Sequence, residues 1–310
     1  MRCLVTGGAG FIGANLVHNL VREQHQVRVL DNFSTGRFEN IAPVIKKIDL
    51  VVGDLCNERD VRGAVRDMEI IFHQAALPSV PRSVADPFST NRINIEGTLN
   101  VMLAARDSGV KRVVYASSSS VYGGNRRLPK DESMQPRPLS PYAVSKLAKE
   151  LYGRVFFELY GLETVGLRYF NVFGPYQDPG SEYAAVIPKF ITALLTGSPP
   201  LVHGDGEQSR DFTFVDDVVK ANLLAAAAPA AAGEVFNIAC GHRISLNELL
   251  LLLKNITGRS VEARYAQDRP GDVKHSLADI KKAGSILGYR PEFSLESGLR
   301  RTVKWFGQKI

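Results

Sequence analysis

The stretch LVTGGAGFIG, Leu4 to Gly13, restricts the possible folds more than any other in the chain. A β-type run, RCLVT (2–6), leads into Gly7, Gly10 and Gly13, spaced GxxGxxG, and an apolar helix pattern follows over 11–23. Gly7 permits a tight turn. Gly10 lets backbone N–H groups approach a pyrophosphate at the helix N-terminus, and Gly13 lets the helix lie close to the strand. A glycine triplet alone is weak evidence. Between the first strand and first helix of an alternating chain it is specific.

The alternation is there. Strand-like runs at 26–31, 48–52, 69–73, 112–117 and 163–168 are interleaved with helical patterns at 57–66, 91–108 and 141–160. This rhythm predicts an α/β fold: a Rossmann-type doubly wound parallel sheet, with a smaller mixed α/β substrate-binding domain. Beyond residue 170 the Gly- and Pro-rich NVFGPYQDPGSEY reads as a functional loop. Helices are expected at 183–196, 216–227, 245–257 and 295–308, and short strands near 201–203 and 234–238. The expected division is 1–170 for the dinucleotide-binding domain, with 207–240 returning to it, and 171–206 plus 241–310 for the substrate side.

Composition narrows the class. The chain has 310 residues, 45% hydrophobic and 23% charged, which suits a globular protein. No apolar run is long enough for a membrane span, and Met1 leads into RCLVTGG without a signal-peptide layout. Three widely spaced cysteines, Cys3, Cys56 and Cys240, form no CxxC and argue against a disulfide framework or a zinc site, so the expected home is a reducing cytoplasm. The histidines show no ligand spacing, and no metal is expected. The formal charge of +6 comes without a Lys/Arg block or aromatic–basic interleaving, so no nucleic-acid partner is expected; an anionic small molecule such as a nucleotide diphosphate fits better.

Asp31 ends the second strand run, 18 residues after Gly13. A carboxylate there binds adenosine ribose hydroxyls and repels a 2′-phosphate, which favours NAD over NADP. The plainer alternative is a turn former in DNFSTG. Asp54 ends the third run, where it either approaches the adenine or caps the helix at 57–66. Ser117 to Ser120 follow the fifth run, at the carboxyl edge where this fold binds ligands. Then LSPYAVSKLAKE places Tyr142 four residues before Lys146, with Ser140 as N-cap and Pro141 at the first helical position. The two side chains share a helix face. Free tyrosine has a pKa near 10. Lowering it by ~3 units, worth ~4 kcal/mol, needs nearby positive charge; Lys146 is placed to supply one, an oxidised nicotinamide would supply another, and the helix start a smaller share.

The motifs VTGGAGFIG, SPYAVSK, LRYFNVFGP, GDGEQSRDF and HSLADI resemble those of the extended short-chain dehydrogenase/reductase family, and within it the nucleotide-sugar 4-epimerases. SVPRS, RYFNVFGPYQDP, YAAVIPK and RPGDVKHSLADI are most similar to the branch acting on UDP-N-acetylglucosamine. The resemblance implies NAD-dependent inversion at sugar carbon 4, by hydride removal, rotation of the keto sugar and hydride return. It implies Ser118, Tyr142 and Lys146 as catalytic residues. For the cofactor it implies Gly7, Gly10, Phe11, Ile12, Gly13, Asp31, Asn32, Ser34, Thr35, Gly36, Asp54, Leu55, Gln74, Ala75, Ala76, Asn94, Ser117, Tyr142, Lys146 and Tyr169.

For a UDP-sugar the same resemblance implies Ser79 and Arg82 near the hexose, together with Ser118, Ser119, Ser120 and Tyr142. Asn171, Arg210 and Arg269 would hold the diphosphate or sugar, and Ala185, Val186, Lys189, Leu201 and His203 would enclose the base and its surroundings. Ser276 stands where strict UDP-glucose epimerases often carry tyrosine, leaving room for an N-acetyl group. Pro78 departs from the lysine of many galactose-type epimerases. Related dehydratases carry an Asp-Glu pair where Ser119 and Ser120 stand, so dehydration is rejected. A UDP-glucuronate epimerase and a non-catalytic dinucleotide sensor are the alternatives, and a homodimer is expected.

Overall fold

The computed structural model describes residues 1–180, 185–267 and 274–309. Strand and helix alternate first: β1 (Arg2–Thr6), α1 (Phe11–Arg22), β2 (Gln26–Asp31), β3 (Ile48–Val52), α2 (Glu58–Val65), β4 (Ile70–His73), α3 (Val80–Ala85), α4 (Pro87–Asn91), α5 (Gly97–Asp107), β5 (Arg112–Ser118), α6 (Pro141–Tyr160) and β6 (Glu163–Tyr169). Then come β7 (Val172–Phe173), α7 (Val186–Leu195), β8 (Leu201–His203), β9 (Ser209–Arg210), β10 (Thr213–Phe214), α8 (Val215–Ala227), β11 (Val235–Ile238), β12 (Ile244–Ser245), α9 (Leu246–Thr257), β13 (Arg264–Ala266), α10 (Lys281–Leu287) and α11 (Leu295–Gly307).

The main sheet has the order β11-β6-β5-β4-β1-β2-β3, and every pairing in it is parallel. A parallel sheet covered on both faces needs strands apolar on both sides. The central β4, Ile-Ile-Phe-His, is buried at every position. Alternate residues of β1 serve opposite layers. Val5 packs in the core with Leu16 and Val17 of α1 and Val218 of α8, while Leu4 packs with Val61 of α2, Val101 of α5 and Phe156 of α6. The strand order reverses beside β1, which opens a crevice at the carboxyl edge between β1 and β4.

Helix α6 starts as its sequence predicts. The Ser140 hydroxyl accepts the Ala143 N–H at 3.2 Å, Pro141 is the first helical residue, and Gly161 ends the helix at φ +69°. Tyr142 is thereby fixed in the first turn, facing the carboxyl edge of the sheet. The single helix expected at 91–108 is instead divided. Asp86 caps α4, Pro87 opens it, and a π-turn over Arg92–Glu96 separates it from α5. That turn carries Asn94, whose side chain brackets the backbone of Leu77, accepting its N–H at 2.7 Å and donating to its carbonyl at 3.1 Å. Helix α3 was not legible in the sequence.

A second core lies over the carboxyl edge. Phe190 of α7, Leu249 of α9 and Leu299 of α11 close around Phe173, Phe212 and Phe214. Short pairs frame it: β10 with β7 and β13 with β8 in parallel, β12 with β9 antiparallel. No helix among the described residues is long and apolar enough to cross a membrane. Cys3, Cys56 and Cys240 are free thiols.

Candidate active site

The glycine turn is a cradle that side chains would fill. Gly7 sits at φ +68°, and a Cβ there would stand 2.7 Å from the Ala75 Cα; one on Gly13 would stand 2.0 Å from the Gly7 carbonyl oxygen. Helix α1 begins at Gly10 with no side-chain cap, so the first-turn amides of Phe11, Ile12 and Gly13 receive nothing from a capping residue. The positive end of α1 thus faces the crevice, as a pyrophosphate requires. Asp31, buried at the tip of β2, accepts the Ala9 N–H at 2.9 Å on one oxygen and the Phe33 N–H at 2.8 Å on the other. Each oxygen keeps a second lone-pair direction for a ribose hydroxyl. Gly36 passes so close that a Cβ on it would lie 3.0 Å from Asp31 Oδ1. Uncapped helix, cradle and carboxylate together fit NAD.

The other cofactor-side candidates fall into three groups. Asn32 donates to Asp54 Oδ2 at 2.9 Å and accepts the Ser34 N–H at 3.0 Å, while Thr35 is exposed beside them. Asp54 also accepts the Cys56 N–H at 2.8 Å, and these bonds, Cys56 first, lower its pKa. Asp54 is not the cap of α2; Asn57 is, accepting the Arg59 N–H at 3.0 Å. Leu55 is buried behind it. Gln74 and Tyr169 satisfy each other and Asn222 in a polar knot, with Gln74 Nε2 donating to Asn222 Oδ1 at 2.9 Å and the Tyr169 hydroxyl to Gln74 Oε1 at 3.1 Å. Ala75 and Ala76 follow at the strand end, half-buried. Asn94 and Ser117 work from behind. Asn94 donates to Ser145 Oγ at 3.0 Å, pinning the Leu77 loop to α6, and the Ser117 hydroxyl is committed to Glu150 Oε1 at 2.5 Å.

At the carboxyl end of β5, Ser118 meets the start of α6. The Ser118 hydroxyl stands close enough to the Tyr142 phenol to pull its pKa down. Ser118 Oγ also accepts the Ser120 N–H at 3.2 Å, which closes a 3₁₀ turn over Ser119–Tyr122. Lys146 Nζ lies 5.5 Å from the Tyr142 ring centroid and donates to the Ala116 carbonyl at 3.0 Å. Burial lowers the Lys146 pKa to about 8, opposed by Glu150. The expectation that Lys146 brings Tyr142 down is not met by the protein's own groups. Burial raises the phenol above its ordinary value, and Ser118 alone pulls the other way. The missing stabilisation of the phenolate has to come from another positive charge, and an oxidised nicotinamide ring carries one.

Sequence reasoning missed the groups behind this triad. Glu150 and Arg168 form a buried bidentate ion pair, with Nε to Oε1 at 2.9 Å and Nη2 to Oε2 at 2.7 Å. His73 is held between Thr6 Oγ1 at 2.7 Å and Thr98 Oγ1 at 2.9 Å, and burial followed by Lys149 and Lys146 drives its pKa well down. Lys149 is fully buried, and its Nζ has no hydrogen-bond partner among the described residues. Only Glu150 left a trace in the sequence, one turn after Lys146.

A cavity of about 260 Å³ gathers seven of the substrate-side candidates: Asn171, Ala185, Val186, Lys189, Leu201, His203 and Arg210. Phe190, Gln208 and Phe212, not anticipated, line it as well. Arg210 Nη1 donates to the Ser209 and Lys274 carbonyls, each at 3.0 Å, which aims the guanidinium from the β9 side. Asn171, at φ +34°, donates to the Asp211 carbonyl at 3.0 Å. Ser276 is tied to the same strand, its N–H donating to the Ser209 carbonyl at 3.0 Å. Ser79 and Arg82 lie elsewhere, at the start of α3. Ser79 caps that helix by accepting the Arg82 N–H at 3.3 Å, at a strained φ of +99°. Ser119 is half-buried, and Ser120 Oγ is buried without a partner among the described residues. Arg269 lies outside the described residues.

Residues 3–239 match the model of the NAD dependent epimerase/dehydratase family. A putative UDP-glucose 4-epimerase of Methanocaldococcus jannaschii is 42% identical over 303 residues, 97% of each chain. The solved UDP-N-acetylglucosamine 4-epimerase of Methanobrevibacter ruminantium, in complex with UDP-N-acetylmuramic acid, is 43% identical, with a TM-score of 0.96 over 100% of this chain and 99% of that one. The Thermus thermophilus UDP-glucose 4-epimerase in complex with NAD is 37% identical, with a TM-score of 0.92 over 100% of both chains.

Proposed function

The chain belongs to the NAD-dependent epimerase/dehydratase family, and on that premise we propose that it interconverts UDP-N-acetylglucosamine and UDP-N-acetylgalactosamine by inverting carbon 4. The observation that carries this reading is the gathering of Ser118, Tyr142 and Lys146, with the Lys146 ammonium 5.5 Å from the Tyr142 ring, beside a crevice fitted for NAD. NAD held in that crevice would supply the store for the carbon-4 hydride, which inversion needs returned to the opposite face of the sugar. The chain's own groups handle the proton. Tyr142, as phenolate, takes it from the carbon-4 hydroxyl while Ser118 holds that oxygen. Lys146 fixes the nicotinamide ribose and adds its charge to the one that oxidised nicotinamide would bring beside the phenolate. On hydride return Tyr142 gives the proton back, so no net proton is exchanged. Arg210 and Asn171 hold the diphosphate, and Lys189, Leu201 and His203 enclose the nucleoside.

The N-acetyl preference rests on Ser276, a small side chain tied to the Arg210 strand, and on the likeness to the acetylglucosamine epimerase. A panel of UDP-sugars, plain, acetylated and uronic, with products analysed for inversion at carbon 4, tests it. Both acetylated sugars should turn over. In Ser276→Tyr they should fail, because overfilling the pocket costs on the order of 1–3 kcal/mol, while UDP-glucose turnover survives. Equal loss on both sugar types would remove the gate. Turnover of the uronic acid alone would replace the reading with its main alternative.

The enzyme is read as a homodimer. On α6, Val144, Leu151, Val155 and Leu159 are exposed at helical spacing, and Phe88 of α4, 76% exposed, stands on a neighbouring helix. An apolar stripe of this kind suits an isologous helix bundle. Three free thiols fit a reducing cytoplasm.

A further inference from the structure

We propose that the buried Glu150–Arg168 pair is a positioning device for the Lys146 ammonium, and through it sets the pH range over which Tyr142 works as a base; this rests on Tyr142 and Lys146 acting as assigned above. Glu150 lies one turn after Lys146 on α6, on the same face. Left alone, its carboxylate could swing into a direct ion pair with Lys146. The structure commits it elsewhere. Arg168 takes both oxygens, at 2.9 and 2.7 Å, and the Ser117 hydroxyl takes Oε1 at 2.5 Å. Arg168 is itself locked. Its Nη1 donates to the Tyr122 hydroxyl at 2.8 Å, which donates to Asn237 Oδ1 at 2.7 Å. Lys146 is therefore left aimed at the Ala116 carbonyl, two residues before Ser118.

Among the described residues, the other groups around Lys146 add no second anion. Lys149 on α6 is buried with no acceptor among those residues, and its pKa is driven far down by burial and by Lys146. His73 of β4 is lowered by burial and both lysines. Tyr115 of β5, beside Glu150 and Arg168, is raised by burial and stays a neutral phenol. Glu150 is thus the carboxylate that opposes the loss of the Lys146 proton, in keeping with the Lys146 value of about 8. Arg168 keeps that help partial.

The test is the pH dependence of kcat/KM for the NAD-loaded enzyme. Its alkaline limb should follow Lys146 and its acid limb Tyr142. In Glu150→Gln the anion is gone and the Arg168 charge stays, so Lys146 gives up its proton more easily and the alkaline limb should fall by about one pH unit or more. Removing one member of a buried pair can unfold a chain. The double variant Glu150→Gln/Arg168→Met removes both charges, and its limb should also fall, by less. A purely structural role would lower kcat evenly across pH. An alkaline limb at the wild-type position in whichever of these variants folds overturns the proposal. If Tyr142→Phe keeps turnover, the underlying assignment of the base has failed instead.

Discussion

At the cofactor crevice the main-sheet strand ends supply one group after another, Gly7 after β1, Asp31 on β2, Asp54 after β3, Gln74 after β4 and Ser118 on β5, and the first turns of α6 add Tyr142 and Lys146. The cavity proposed for the nucleotide draws instead on separate segments, at 171–173, 185–190, 201–212 and 246. In the first region strand–turn–helix geometry places the chemistry, and hydrogen bonds between neighbouring strand ends hold it. In the second, placement depends on how α7, α9 and the short β8 and β9 pack over the sheet. The difference separates two kinds of failure. Damage on the sheet side should abolish chemistry, whereas damage on the cavity side should weaken binding and leave the chemistry intact.

The sharpest way to break that contrast is Tyr142→Phe. The ring fills the same space but accepts no proton, so kcat should drop about 10²–10⁴-fold, with UDP-sugar affinity by calorimetry little changed. A comparable loss of affinity would mean that the two regions are not separable. Arg210→Ala probes the other side. Losing charge-assisted hydrogen bonds to phosphate, worth about 1.5–3 kcal/mol, should raise KM roughly 10- to 100-fold and spare most of kcat. A loss confined to kcat would move Arg210 into the chemistry.

The smallest effect concerns Lys149, a buried amine on the sheet side with no acceptor among the described residues. Burial, followed by Lys146, drives the folded pKa of Lys149 well below its unfolded value. The unfolded state then binds more protons below about pH 10, which costs stability there, and the cost fades as pH rises toward the unfolded pKa. Lys149→Met should raise Tm by a few degrees at pH 7, and the gain should shrink at higher pH. A destabilised variant would mean that Lys149 has a partner in solution.

The same contrast explains what the sequence could and could not reveal. Gly7, Asp31, Ser140, Tyr142 and Lys146 were legible because each is fixed by local geometry: a turn, a strand end, a cap or a helical spacing of four. The bounds of β1, β2 and β3 were legible from short apolar, β-branched runs; β1 and β2 bury most of theirs, whereas β3, at the sheet edge, buries none. Glu150 and Arg168 were invisible as a pair because 18 residues and a helix-to-strand packing contact separate them. The direction of the Ser117 hydroxyl and the break at Arg92–Glu96 depend on tertiary partners, Glu150 and Leu77, that no periodicity encodes. The phenol's raised pKa comes from burial, which depends on tertiary packing that the spacing of Tyr142 and Lys146 does not encode.

The central claim is that hydride leaves and returns to the same carbon within one closed site, with Tyr142 moving the proton. UDP-N-acetylglucosamine deuterated at carbon 4, incubated in ordinary water with the NAD-loaded enzyme and followed by mass spectrometry and proton NMR, tests it directly. The account predicts UDP-N-acetylgalactosamine that keeps its deuterium at carbon 4, formed without added reduced nicotinamide. Product that has lost the label to water, or no inversion of this sugar, would contradict it.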